Sequence, residues 1–257
     1  MGLLLSVSNQ KGGVGKTTTT VNLAASLSAS DKSCLVIDCD PQANATTGLG
    51  LNRADLELGV YDLFFGTEPL SELMIKTELP GLFIVGANSH LVGAEVEMAH
   101  IENREFLLKK RLLGVKDQYD YILIDCPPSL GFLTLNALTA ADAVLIPLQC
   151  EYYALEGLSQ ILETYRAVRR SLNPSLSLLG ILLTMFDSRN NLSSQVAKEI
   201  RKLFKGKVFQ TVIPRNVRLS EAPSHGKPIL LYDVKSSGAQ SYLQLAREMI
   251  KSGGNNG

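Results

Sequence analysis

Near the start of the chain, Lys11-Gly-Gly-Val-Gly-Lys-Thr-Thr18 brings glycines, lysines and hydroxyls into one short stretch. Gly12, Gly13 and Gly15 put no Cβ between the backbone and a ligand and allow unusual dihedrals. Lysines supply positive charge, and threonine hydroxyls are hard oxygen donors for Mg²⁺. The chemistry that wants all three is phosphate binding. Two further stretches carry carboxylates suited to the same centre. Asp38-Cys-Asp-Pro-Gln42 follows an apolar run that starts at Cys34, and Asp125 closes the run Tyr121-Ile-Leu-Ile and precedes Cys126-Pro-Pro-Ser129. Asp38 suits Mg²⁺ or its water, and Asp125 suits the metal directly or through water. Asp40 either orients an attacking water or caps a turn.

The elements that must position these groups are legible around them. Leu3 to Ser8 reads as a buried strand, and Val21, Leu23, Ala24 and Leu27 fall at helical spacing after the loop. A strand feeding a helix through glycines aims backbone N–H groups and the positive end of the helix dipole at one point. Lys16 is then placed for the β/γ-phosphates and Thr17 for Mg²⁺. The pattern G-x-x-x-x-G-K-[ST] would need glycine at position 10, where Gln10 stands. Lys11 opens the loop instead, the deviant form of the Walker A motif. It is also not G-x-G-x-x-G, which argues against a dinucleotide site.

Farther along, Gly59–Phe65 reads as a short helix, Leu82–Val85 as a strand and Glu95–Leu113 as one solvated helix. Ala143–Pro147 and Leu178–Thr184 read as strands, with a helix from about Leu155 to Ser171 between them. A helix Ser194–Phe204, a strand Val208–Ile213 and a closing helix Ala239–Ile250 complete the alternation. Strands alternating with helices predict an α/β fold, a single doubly wound and mostly parallel sheet with helices on both faces. The expected organisation is one ATPase domain over residues 1–251 and a disordered tail over 252–257.

The chain of 257 residues is 45% apolar and 19% charged, as a packed core requires. Apolar runs fall short of the ~20 residues of a membrane span, and the first residues lack the pattern of a signal peptide. Cys34, Cys39, Cys126 and Cys150 form no C-x-x-C and read as buried free thiols. Charge is unevenly spread: residues 1–150 hold 10 basic and 17 acidic side chains, a net −7, and residues 151–257 hold 15 and 8, a net +7. That asymmetry predicts a basic face on the C-terminal half, with phosphate contacts that add when two such faces pair.

Five segments in this order resemble the ParA/Soj-type chromosome-partition ATPases, relatives of the MinD cell-division ATPases and the nitrogenase iron protein. They are Lys11–Thr17, Asp38–Gln42, Ile124–Ser129, Gln149-Cys-Glu-Tyr-Tyr-Ala-Leu-Glu-Gly157 and Ile213-Pro-Arg-Asn-Val-Arg-Leu-Ser-Glu-Ala-Pro223. The resemblance runs to about residue 250. It implies ATP and Mg²⁺ as cofactors, with residues Lys11, Gly12, Gly13, Val14, Gly15, Lys16, Thr17 and Thr18 on the phosphates. Lys11 would reach across an ATP-dependent homodimer to the partner's nucleotide, a lysine version of the arginine finger. Lys16 matches the ordinary loop lysine, and Asp40 the residue that positions the lytic water. Thr17 and Asp125 match the family's Mg²⁺ shell, beside the Asp38 already placed there by its strand end. Pro214, Arg215 and Asn216 fall in the segment that cradles the adenine end. Arg189 and Arg218 match family contacts to DNA.

The implied cycle is a sandwich dimer that binds double-stranded DNA without sequence preference. A ParB/Spo0J-type centromere-binding protein would release it by stimulating hydrolysis, and a replication initiator is a further partner known to some relatives. The implied location is cytoplasmic and nucleoid-associated, with no membrane. The loop begins by residue 11, so the operator-reading N-terminal extension of plasmid-type relatives is not expected. The alternative is a MinD-like membrane-cycling ATPase, which would need a strongly basic amphipathic C-terminal helix. Here Tyr242, Leu243, Leu245, Ala246, Met249 and Ile250 alternate with few cations and predict docking on the core instead. An iron–sulfur protein would need exposed bridging cysteines, and a module without hydrolysis would not need Lys11, Lys16 and Asp40 together.

Overall fold

The computed structural model describes residues 2–253. Seven strands form one sheet: β1 (Leu3–Val7), β2 (Cys34–Asp38), β3 (Ile75–Lys76), β4 (Leu82–Val85), β5 (Tyr121–Asp125), β6 (Ala143–Gln149) and β7 (Ser177–Thr184). Their order is β3-β4-β2-β5-β1-β6-β7. All neighbours pair parallel except β3, which runs antiparallel along the edge of β4. The doubly wound, mostly parallel sheet is therefore as expected. Its central strands are buried on both faces, which is why they read as unbroken Leu/Ile/Val runs rather than alternating ones.

Helix α1 (Lys16–Ser28) follows β1 directly. Short helices α2 (Asn44–Gly48), α3 (Val60–Phe65), α4 (Leu70–Leu73), α5 (Ala94–Met98) and α6 (Leu107–Leu112) fill the region before β5. After it come α7 (Phe132–Ala140), α8 (Ala154–Ser171), α9 (Asn191–Leu203), α10 (Val217–Glu221), α11 (Ile229–Tyr232) and α12 (Ser237–Gly253). One face of the sheet packs on α1 and α12. There Leu23, Leu27, Leu245 and Ala246 are fully buried, and the Tyr242 hydroxyl lies 3.2 Å from Thr19 Oγ1. The apolar stripe of the last helix is thus used up inside the chain, each large side chain adding about 1.5–3 kcal/mol of burial. The other face carries two clusters, one under α3 to α7 and one under α8 and α9.

Two expected elements differ. Glu95–Leu113 is not one helix: α5 and α6 are separated by a break at Asn103, whose φ is 56°. The fully buried Asn136 of α7 accepts from Leu108 N at 3.1 Å and donates to Arg104 O at 2.8 Å, so a tertiary side chain takes over the backbone bonds a continuous helix would make. The stretch 208–213 forms no continuous strand: it meets β7 at an isolated bridge at Val208, with Phe209 N and Ile213 N donating to Ile181 O and Leu183 O at 3.0 and 2.9 Å, and a further bridge follows at Pro214. Between them Gln210 N and Thr211 N donate to the carboxylate of Glu248 on α12, at 2.7 and 3.0 Å, which pulls the backbone off the ladder. The last helix runs on to Gly253, so residues 252 and 253 of the expected tail are helical, and 254–257 lie outside the described residues.

All four cysteines are free and buried. Burial pushes the thiols of Cys126 and Cys150 up to about 11 and that of Cys34 up to about 12, and it raises Cys39 well above the ordinary range.

Candidate functional site: a phosphate loop facing two buried aspartates

The C-terminal ends of β1, β2 and β5 lie side by side. Val7 and Asp38 are both register partners of Asp125. A parallel sheet gathers ligands at such ends. From β1 the chain enters the glycine loop. Gly13 has φ 74° and Gly15 φ 90°, a region that suits glycine, and Gly15 in that conformation starts α1 without a side-chain cap. The first N–H groups of α1 therefore remain free to meet an anion. The loop is tied down at both flanks. Asn9 donates to Pro147 O at 2.8 Å and accepts from Lys11 N at 3.0 Å, while Thr184 Oγ1 donates to Val14 O at 2.8 Å.

The two lysines keep different company. Lys16 is buried and its Nζ donates to Lys11 O at 3.0 Å, closing the loop on itself. Burial lowers its pKa, opposed by the charges of Asp125 and Asp40 nearby. Lys11 instead pairs with Glu151, on the turn after β6. That lysine and Gln10 border a groove of about 530 Å³ walled by Pro128, Leu130, Tyr153 and Gln160.

Thr17 Oγ1 donates to Asp125 Oδ2 at 2.7 Å, and Thr20 Oγ1 to Oδ1 at 3.0 Å. Asp38 accepts from the N–H and hydroxyl of Thr46 at 2.8 and 2.7 Å and from Asp40 N at 3.2 Å. A carboxylate offers about four lone-pair sites, so Asp38 keeps little spare capacity. Asp40 is buried, and its Oδ1 accepts from Gln42 N at 2.9 Å. It therefore does cap a turn, while among the described residues its other oxygen takes no hydrogen bond. Burial pushes the carboxyls of Asp38 and Asp125 well above the usual carboxylate range, and their mutual repulsion adds to it for Asp125. Two buried carboxylates side by side with a hydroxyl are a hard oxygen donor set short of positive charge, the chemistry that suits Mg²⁺.

Beyond the loop a pocket of about 310 Å³ opens between Gly15 and Thr18 on one side and Pro214, Arg215 and Asn216 on the other. Asn216 is held twice: its Oδ1 accepts from Leu219 N at 3.2 Å, capping α10, and its Nδ2 donates to Ser237 Oγ at 2.8 Å. Met185 lines the same pocket at φ 49°, an uncommon conformation for a bulky side chain. The loop, the aspartates and this pocket thus converge on one region. The arginines expected to meet DNA do not join it. Arg189 chelates Asp187, with bonds of 2.9 and 2.8 Å, and Arg218 pairs with Glu221 at 2.9 Å and Asp233 at 3.5 Å.

Several site residues could not be picked out from the sequence. Glu151 falls inside a family segment but carries no role there. Thr20 and Thr46 are ordinary helix threonines until the sheet register brings an aspartate to each. Met185 and Tyr242 line the pocket from segments with no motif at all.

Fold and site together define a nucleotide-binding protein of the deviant Walker A class. The chain matches the family described as an AAA domain over residues 3–178. It is 56% identical to the chromosome partitioning protein ParA of Myxococcus xanthus, over 98% of this chain and 89% of that protein. It is 55% identical to the sporulation initiation inhibitor protein Soj of Bacillus subtilis, over 98% of this chain and all of that protein. Among solved structures, cobyrinic acid a,c-diamide synthase from Mycobacterium smegmatis, crystallised with an ATP analogue and magnesium, superimposes with a TM-score of 0.87. That match is 35% identical and covers 100% of this chain and 98% of the other. The chain belongs to the ParA/Soj family of chromosome-partitioning ATPases.

Proposed function

We propose that the chain is an ATP-gated switch on DNA: it binds Mg²⁺ and ATP, pairs with a second copy, holds DNA without sequence preference and lets go on hydrolysis. The observation that carries this is the pairing of the Thr17 hydroxyl with Asp125 at the mouth of a loop whose far side opens into the pocket at Pro214–Asn216. Thr17 and Asp125 would hold the metal, with Asp38 beside them oriented by Thr46. Bound Mg²⁺ supplies positive charge to the phosphate oxygens. The loop N–H groups and Lys16 bind the β/γ-phosphates, and the pocket takes the nucleoside.

Asp40, buried and with one oxygen uncommitted, accepts a hydrogen bond from a water beside the loop. Lys11 turns toward Glu151 rather than toward the aspartates, which suits a cation meant for the other subunit's phosphates. The exposed Tyr152 and Tyr153 and the groove next to Lys11 give that second subunit an amphipathic surface. The net +7 of residues 151–257 provides for DNA, with Arg189 and Arg218 exchanging carboxylate partners for phosphates.

The partition reading is preferred over the MinD-like one because the relatives at 53–56% identity are named for partition or for Soj, and because the last helix buries its apolar face on α1. Among the described residues no helix is long and apolar enough to cross a membrane. A ParB/Spo0J-type protein is the partner this reading assigns to stimulation.

The test is binding to double-stranded DNA at low salt with ATP, ADP and no nucleotide, for wild type and Asp40→Ala. Binding confined to ATP and prolonged in Asp40→Ala is expected. Equal binding in all three states would overturn the switch.

A further inference from the structure

Asp38 holds two places in the chain at once. Its Oδ1 accepts from Asp40 N at 3.2 Å, and its Oδ2 accepts from the N–H and the hydroxyl of Thr46 at 2.8 and 2.7 Å. One carboxylate at the end of β2 therefore grips both ends of the stretch 40–46, which contains Asp40.

That stretch is poorly anchored by its own residues. Helix α2 starts from Ala43, which has φ 55° and gives no side-chain cap. An alanine in the left-handed region is uncommon and stays there only when its surroundings hold it. The first N–H groups of a helix need acceptors from outside the helix. Asp38 supplies one to Thr46 N, so a carboxylate of the metal site also caps α2. Ala43 N donates to Asp40 O at 2.9 Å, and Gln42 N donates to Asp40 Oδ1 at 2.9 Å. The turn that carries Asp40 is thus built onto the start of α2.

Thr46 is the fixed point of this arrangement. It is fully buried. Its hydroxyl donates to Asp38 and accepts from Ala87 N at 2.9 Å, just past the end of β4. One hydroxyl used in both directions ties α2 to two neighbouring strand ends. Gly86 leaves it room: a Cβ there would come within 3.2 Å of Thr46 Oγ1 and 3.1 Å of its methyl carbon.

We propose that Thr46 is a positioning residue for Asp40. Acting through Asp38, its hydroxyl holds the 39–45 loop so that the uncommitted oxygen of Asp40 faces the attacking water. The loss of that hydroxyl is felt at the water rather than at the nucleotide or the metal. The role of Asp40 rests on the ATPase reading above, whereas the holding of the loop does not.

The test compares Thr46→Val, which keeps the shape and removes the hydroxyl, with Thr46→Ser, which keeps the hydroxyl. Thr46→Val should bind ATP as the wild type does, dimerise with it, and turn it over about 10–100-fold more slowly, the usual cost of removing the partner of a metal-site carboxylate. Thr46→Ser should recover most of that loss, and added Mg²⁺ should recover none of it. Introduced into Asp40→Ala, Thr46→Val should lower the residual turnover no further, because the group it positions is already gone. In protein free of nucleotide, amide hydrogen exchange over residues 39–46 should quicken in Thr46→Val and not in Thr46→Ser. Thr139→Val also removes a buried hydroxyl, one without a hydrogen-bond partner among the described residues, and should do none of this. Should Thr46→Val not fold, Thr46→Ala removes the same hydroxyl and replaces it in every comparison.

Turnover of Thr46→Val equal to wild type, or Thr46→Ser as slow as Thr46→Val, would overturn the proposal. So would rescue by Mg²⁺, which would make the hydroxyl a support of the metal, or a further loss on top of Asp40→Ala. If Asp40→Ala itself hydrolysed ATP at the wild-type rate, the failure would belong to the ATPase reading, and hydrogen exchange over 39–46 would still decide whether Thr46 holds the loop.

Discussion

Lys11, the first lysine of the phosphate loop, is ion-paired to Glu151 of its own chain, while Lys16 five residues later is buried near Asp125 and Asp40. The two cations therefore belong to different neighbourhoods, one bordering the groove at Tyr153 and one beside the buried aspartates. If Lys11 serves the partner's nucleotide and Asp40 its own, inactive variants complement. Lys11→Ala and Asp40→Ala should each hydrolyse ATP roughly 10²–10⁴-fold more slowly than wild type. Mixed in equal amounts, they should recover about a quarter of wild-type turnover, because half of the random dimers carry one complete site. A mixture as inactive as its parts would place Lys11 on its own nucleotide.

Lys16→Ala should abolish nucleotide binding, whereas Asp40→Ala should bind ATP within a few-fold of wild type. Equilibrium titration with a fluorescent ATP analogue separates the two. Comparable affinities for Lys16→Ala and wild type would remove Lys16 from the phosphates.

The loop glycines are not equivalent. At Gly13 and Gly15 positive φ strains any replacement. At Gly12 an added Cβ would meet only Pro128, at 4.0 Å. Gly12→Val should therefore fold with a Tm within a few degrees of wild type and bind ATP. Its side chain would project toward the second subunit, so it should remain monomeric with ATP in sedimentation. ATP-dependent Gly12→Val dimers would show that the seam lies elsewhere.

Asp38 and Asp125 stand in register on adjacent strands, and burial raises both carboxyls. A carboxyl whose folded pKa is raised holds its proton more tightly folded than unfolded. Its contribution to stability is full below the unfolded value, about 4, and is lost as pH rises through the folded one. Protein free of nucleotide and metal should thus lose stability from weakly acidic toward neutral pH, relative to Asp125→Asn. The difference should exceed about 1.4 kcal/mol, one pKa unit. Mg²⁺ with ATP should erase the slope, since a bound cation favours the ionised pair. Parallel Tm-against-pH curves for the two proteins would contradict this.

Much of the site could be read in the sequence because local chemistry forces it. Glycines before a helix, an aspartate ending two of the apolar strands and a proline pair after one of these all announce themselves within a few residues. The relations between segments could not be read that way. Nothing near Glu151 says that it will meet Lys11, and nothing near Glu95 says that it will cap α7. The misplaced elements failed for the same reason. Asn136 and Glu248 take backbone N–H groups from distant segments, overriding a helical period at 95–113 and a strand-like run at 208–213.

The proposed DNA binding would fall to exposed residues. Arg189 and Arg218 each have a carboxylate partner to give up, so their gain on meeting phosphate is partly offset. Replacing both with alanine should lower the salt slope of DNA affinity by about one for each phosphate that the arginines neutralise. An unchanged slope would move the DNA-facing surface to other cations of the C-terminal half.

The buried cysteines bear on how all of this is measured. With pKa values raised to about 11 at Cys126 and Cys150 and about 12 at Cys34, and with Cys39 raised well above the ordinary thiol range, each native thiol is shielded and almost wholly protonated near neutral pH. A single cysteine introduced on the surface is therefore the one that a maleimide dye finds first. The natural chain can carry a fluorophore at a chosen point of the cycle without first being stripped of its own sulfur.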